Sequence, residues 1–117
     1  MTLTHGEDVP AQRVENSDRI QVQVLQTGPN FIMRRFSMAP GGGMPKHTNT
    51  VEHEQYVLKG QARIGIGDET IEVRAGDVVF IPNGSPHWYL NTGEGDFEFL
   101  CIIPNRPDKI QLVENSC

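Results

Sequence analysis

From Ile20 onward the chain alternates short apolar, β-rich runs with turn residues. IQVQVLQ leads into TGPN, and FIMRRFSM into APGGG. The rhythm continues through EQYVLKG, ARIGIGDETIEVRAGD, VVFIPNG, HWYLNTGEG and DFEFLCIIP. Val, Ile, Phe, Tyr and Thr suit a pleated, half-buried surface, and Gly, Pro and Asn punctuate it. Turns recur every eight to twelve residues or so, and no stretch of helix length carries a 3.6-residue period, so the pattern predicts an all-β antiparallel sandwich or barrel. GDET, between two alternating runs, is a hairpin signal.

Residues 1–17 break this rhythm. They are polar, carry Pro10 and show no periodicity, which marks an N-terminal tail or arm that docks on something else. Residues 18–117 then form the barrel, and 117 residues suit one domain. VVFI and FEFLCII are apolar at positions facing both ways, so one face needs a cover beyond the barrel's own interior. A homodimer supplies it, closed by the tail or by the final KIQLV run.

Charge and cysteine content narrow the partners. The net charge of -5 is spread out with no basic run, which argues against nucleic acid or an acidic membrane. No apolar stretch reaches spanning length and the first residues lack the apolar core of a signal peptide, so a cytoplasmic location is expected. Two cysteines, Cys101 and Cys117, form neither a disulfide framework nor a zinc pair and are expected to be free thiols, Cys101 as a small core residue.

The chemistry concentrates in HTNTVEHEQYVLKG, residues 47–60, and PNGSPHWYLN, residues 82–91. Side chains two apart on a strand share a face. His47 therefore goes with Asn49, His53 with Gln55, and His87 with Tyr89 and Asn91. Three of the four histidines in the chain fall in these two segments. Imidazoles on neighbouring rigid strands hold a divalent transition metal and leave positions for water and substrate; the bland alternative is three satisfied polar residues at a barrel mouth. Around them, Tyr89 is a candidate proton donor and Gln55 a hydrogen-bonding group. Phe36, Met38, Met44 and Trp88 would shape an apolar mouth. Arg34 shares the phase of Ile32, Phe36 and Met38, so an inward guanidinium would pair a carboxylate substrate. Ser85-Pro86-His87 lacks the strand-to-helix elbow of a nucleophile, and Gly41-Gly42-Gly43 reads as a tight turn before the histidine strand.

These segments resemble the cupins. Their first motif is met by Gly41, His47, Asn49, His53 and Gly60 with two positions altered. Their second is met in full by Gly76, Pro82, Gly84, His87 and Asn91. The resemblance covers about residues 28 to 104 and implies a single-domain double-stranded β-helix, the jelly-roll barrel. With His53 in place of the motif's Glu, the chain is similar to small monocupins that bind manganese through four histidines, which implies His47, His53, His87 and position 49 as ligands. Asn49 is the departure: an amide oxygen ligates loosely, bonds through a water, or only orients another ligand. Glu54 is the rival to His53, but register counted back from Gly60 favours His53. The implied cofactor is one divalent transition metal per subunit, Mn or Fe first, with Zn, Ni or Co as alternatives. The implied function is a metal-dependent, dioxygenase-like oxygenase of a small enolic, aromatic or otherwise chelating anion. Its alternatives are a non-redox lyase or isomerase of a small sugar or keto acid, and a non-catalytic sensing module.

Overall fold

The computed structural model describes residues 2–113. After one 3-10 turn at Gly6–Asp8, ten strands follow in order. They are β1 Gln12–Arg13, β2 Asp18–Thr27, β3 Phe31–Thr48, β4 His53–Lys59, β5 Gln61–Ile66, β6 Glu69–Arg74, β7 Val78–Ile81, β8 His87–Leu90, β9 Phe97–Pro104 and β10 Gln111–Leu112. Every pairing is antiparallel, and the central path runs β6-β5-β8-β3-β9-β4-β7. The sheet curls into a single-domain jelly-roll, the double-stranded β-helix.

The hinge of this curl is β3. Its first half, Phe31–Met38, pairs with β2 and β9; its second half, Gly43–Thr48, pairs with β8 and β10. The tight turn expected at Gly41–Gly43 is instead a bend inside one continuous strand. Gly41 takes φ 75, and close approach accounts for the other two glycines. A Cβ on Gly42 would lie 2.6 Å from the Asp18 carbonyl oxygen, and one on Gly43 2.5 Å from that of Tyr89. The hairpin expected at GDET is present, with Ile66 opposite Glu69 and Gly67 at φ 58.

Alternation directs one face of each strand inward. In β9, Phe97, Phe99, Cys101 and Ile103 are buried; in β7, Val79 and Ile81. With Ile20, Phe36, Met38, Val57, Ile64 and Tyr89 they form one core, in which Phe36, Phe99 and Tyr89 stack at centroid spacings of 5.1 and 5.4 Å. Each such side chain contributes about 1.5–3 kcal/mol by leaving water. The outward positions are also apolar: Val78 is 73% exposed and Phe80 54%, beside exposed Tyr56 and Leu58.

Among the described residues, both terminal segments lie on the barrel itself. Gln12 and Arg13 pair with Val22 and Gln21, and the Gln23 amide donates to the Gly6 and Val9 carbonyls at 3.1 and 2.8 Å. The final KIQLV run supplies β10, whose Leu112 lies opposite His47 in this chain's own sheet. Cys117 lies outside the described residues.

Candidate metal centre

A cavity of about 360 Å³ opens at one end of the barrel, and His47, Asn49, His53, Gln55, His87 and Tyr89 all line it. Two halves of the curled sheet deliver them. His47 on β3 and His87 on β8 are directly opposed partners, their ring centroids 4.1 Å apart. His53 comes from β4, on the other side of the bend, with its ring 5.7 Å from that of His87. Glu54 falls on the opposite face of β4, across from Phe80 and Ile102 and away from the cavity.

Each imidazole commits Nδ1 to a neighbouring group: a backbone carbonyl for His47 and His87, and the Cys101 sulfur for His53. His47 Nδ1 lies 2.8 Å from the Pro45 carbonyl and His87 Nδ1 2.9 Å from that of Ser85, contacts that require the proton on Nδ1. His53 Nδ1 lies 3.2 Å from Cys101 Sγ, a sulfur that already accepts from Arg34 Nη2 at 3.4 Å and Gln55 Nε2 at 3.7 Å. Protonation at Nδ1 leaves Nε2 of His47 and His87 with its lone pair, and none of the three Nε2 atoms has a protein hydrogen bond among the described residues. Burial lowers the basicity of all three. His47 falls below the usual range for histidine; burial and the Arg34 guanidinium bring His53 to about 3, and burial brings His87 to about 4. Neutral imidazoles with oriented lone pairs are the form that binds a metal.

Asn49 is 5% exposed, and its Nδ2 donates to Asp108 Oδ2 at 2.8 Å. Its Oδ1 and His53 Nε2 are buried atoms without a partner. A buried lone pair without a donor is costly, so two in one cavity call for a shared cation or polar guest. Among the described residues no trio of His, Cys, Asp or Glu is already closed to ligand spacing. The three rings gather around one cavity without being closed to ligand spacing, and Asn49 adds an amide oxygen beside them. The donor set, three imidazole nitrogens and one amide oxygen, fits a divalent transition ion.

The remaining lining divides into a polar side and an apolar floor. Gln55 Nε2 donates to the Tyr89 hydroxyl at 2.7 Å, which leaves the phenol's own proton free for a guest. Burial raises Tyr89 above its ordinary range, so it stays protonated. Arg34 lies over the Phe36 ring at 4.9 Å, and its buried Nε has no partner. Ile20, Phe36, Met38, Met44 and Phe99 make the floor. Trp88 does not join them: alternation with His87 and Tyr89 turns it outward, where its indole occupies the space a Gly65 side chain would fill. Burial likewise pushes the Cys101 thiol up, against the pull of Arg34, which leaves it an inert thiol against His53. Asn91 ties down a turn, donating to the Met38 and Gly95 carbonyls at 2.9 Å.

Sequence reasoning passed over the groups that close the mouth: Val14, Glu15 and Asn16 from the arm, Ile110 and Leu112 near β10, and Asp108 behind Asn49. Asp108 is fifty-nine residues from Asn49 and sits in no periodic run, so its only signal was a carboxylate just ahead of the last strand.

The chain is similar to known proteins. A 1-methylthio-D-xylulose 5-phosphate methylsulfurylase from Rhodospirillum rubrum is 30% identical over 112 residues, 92% of this chain and 72% of that protein. An oxalate-binding protein from Thermotoga maritima is 33% identical over 73 residues, 62% of this chain, which spans only 60% of that relative. The structure is similar to that of the polyketide cyclase RemF from Streptomyces resistomycificus, with TM-score 0.88 and 30% identity over 99% of this chain and 87% of that one. Residues 34–103, which carry every histidine of the site, match the family described as the cupin domain. The chain belongs to the cupin family.

Proposed function

We propose that the protein is a metal-dependent enzyme of a small, chelating, enolisable anion, in which the cation serves as a Lewis acid. The observation that carries this reading is the pair of unpartnered buried atoms, His53 Nε2 and Asn49 Oδ1, in the same cavity as a protonated Tyr89 and a half-buried Arg34. A divalent ion held by these uncharged ligands would keep its full charge and polarise a carbonyl oxygen, so that the neighbouring C–H could lose its proton to solvent at the open mouth. The chain's own residues then complete the environment. The Tyr89 hydroxyl, held by Gln55, donates a hydrogen bond where negative charge develops on oxygen. Arg34 has a free Nε for a carboxylate or comparable anionic group of the same molecule. The Phe36–Phe99–Tyr89 stack and Met38 exclude water.

Likeness to a polyketide cyclase and to an enzyme of a ketose phosphate supports carbonyl and enol chemistry over oxygenation. The test is deuterium uptake at carbon, followed by NMR in D₂O, across a panel of β-dicarbonyl and 2-keto acids with Mn(II)-, Fe(II)- or Zn(II)-loaded protein, with and without dioxygen. Metal-dependent exchange that persists without oxygen is expected. Tyr89→Phe should slow it by about 10²- to 10³-fold, the usual loss for one oxyanion donor. Oxygen uptake without exchange would instead establish oxygenation, and tight binding with neither would establish a sensing module.

A further inference from the structure

Asn49 stands where an imidazole would be expected, yet its surroundings are more organised than those of a ligand position abandoned to drift. Asp108 grips this stretch with both oxygens. Oδ2 accepts from Asn49 Nδ2 at 2.8 Å; Oδ1 accepts from the Thr50 backbone N–H at 2.9 Å and from its hydroxyl at 3.3 Å. Thr50 Oγ1 in turn accepts from the Lys109 N–H at 2.8 Å, closing a ring between the two segments. A carboxylate only accepts, so the amide must turn its NH₂ toward Asp108. Oδ1 is thereby aimed the other way, and it is this atom that is buried and unpartnered.

We propose that Asp108 is a positioning residue that locks the Asn49 amide with its oxygen toward the cation, making Asn49 Oδ1 a fourth ligand alongside the three imidazoles. The inference rests on the metal-centre reading above and assigns a role to a residue outside the two motif segments. Two physical consequences follow. The carboxylate polarises the amide through the Nδ2–H bond, making Oδ1 a stronger donor than a free carboxamide. A hard oxygen among the nitrogens also favours Mn(II) and Fe(II) relative to Zn(II), compared with an all-imidazole site.

Asp108→Asn is the informative variant, because it keeps the shape and one oxygen for Thr50 while replacing the acceptor that faces Asn49 with a donor. To keep a hydrogen bond there, the Asn49 amide must flip and present its NH₂ to the cation. Mn(II) affinity, measured by titration calorimetry on the metal-stripped full chain, is expected to fall by about 10- to 100-fold, the usual cost of losing the partner that orients a ligand. The visible d–d spectrum of the Co(II)-loaded protein should shift. A merely structural role for Asp108 would move neither selectively, and the Asn49→His background separates the cases. An imidazole at that position needs no amide lock, so adding Asp108→Asn there should change Mn(II) affinity by less than about 3-fold, while Asn49→His alone should raise the preference for Zn(II) over Mn(II). Equal Mn(II) affinity and an unchanged Co(II) spectrum in Asp108→Asn overturn the inference and leave the metal centre standing, as does an equal loss in both backgrounds. Failure of the unaltered protein to bind Mn(II), Co(II) or Zn(II) overturns the metal-centre reading and this inference with it.

Discussion

Each imidazole of the site is oriented through its Nδ1 by a partner: a carbonyl of Pro45 or Ser85, or the sulfur of Cys101. Those partners fix ring direction, and the two carbonyls also fix the tautomer of His47 and His87; all three come from the same turns and strands that place the rings. His47, His53 and His87 were legible from sequence because strand alternation and their clustering between turns need no tertiary knowledge. Trp88 follows the same rule, since a residue between His87 and Tyr89 must face away from both. Asp108 was not legible, because its contact with Asn49 spans the whole second half of the chain. At this scale the outward acidic pair also makes a prediction. Glu54 shares a hydrogen bond with Glu52 and is pushed up to about 7, chiefly by that contact. The fold thus favours the protonated form of a group that ionises near 4.5 when free, so stability declines as pH rises from about 4.5 through 7. Glu54→Gln removes the repulsion. The variant should melt higher than the parent at pH 8 and show no such gain at pH 5, read by thermal denaturation at the two pH values.

Among the elements, β3 decides where the site forms. Its Phe31–Met38 half belongs with β9 and its Gly43–Thr48 half with β8, and the bend between them brings His47 to His87 while β4 presents His53 from across the barrel. Sequence marked three consecutive glycines as a place where the chain turns. It could not show that the reason is close contact, with Gly43 lying against the Tyr89 carbonyl rather than reversing the chain, because that neighbour is forty-six residues away. Gly43→Ala should therefore force β3 and β8 apart and cost about 1–3 kcal/mol. Gly95→Ala, where an added Cβ meets nothing within 4 Å, should be close to neutral. Urea unfolding midpoints of the two variants provide the comparison.

Over the whole molecule, the outer face of β4, β7 and β9 carries an apolar patch, with Val78, Phe80, Tyr56 and Leu58 exposed beside Glu54. The same feature was readable in VVFI and FEFLCII as strands without a polar side. Among the described residues neither terminal segment covers it: the arm lies on β2 and β10 on β3. A second copy is the cover proposed for it, by an isologous contact of the same face. In sedimentation equilibrium the parent should run at twice the single-chain mass and Phe80→Asp at the single-chain mass. A monomeric parent would remove the proposal.

The curled sheet carries one further implication for how occupancy is felt by the rest of the protein. His47 and His87 belong to one leaf and His53 to the other, and the two leaves meet through the bend at Gly41–Gly43 in β3. An ion seated between them would act as a cross-brace, so its chemical potential in the surroundings would set the stiffness of the barrel mouth as well as the chemistry inside it.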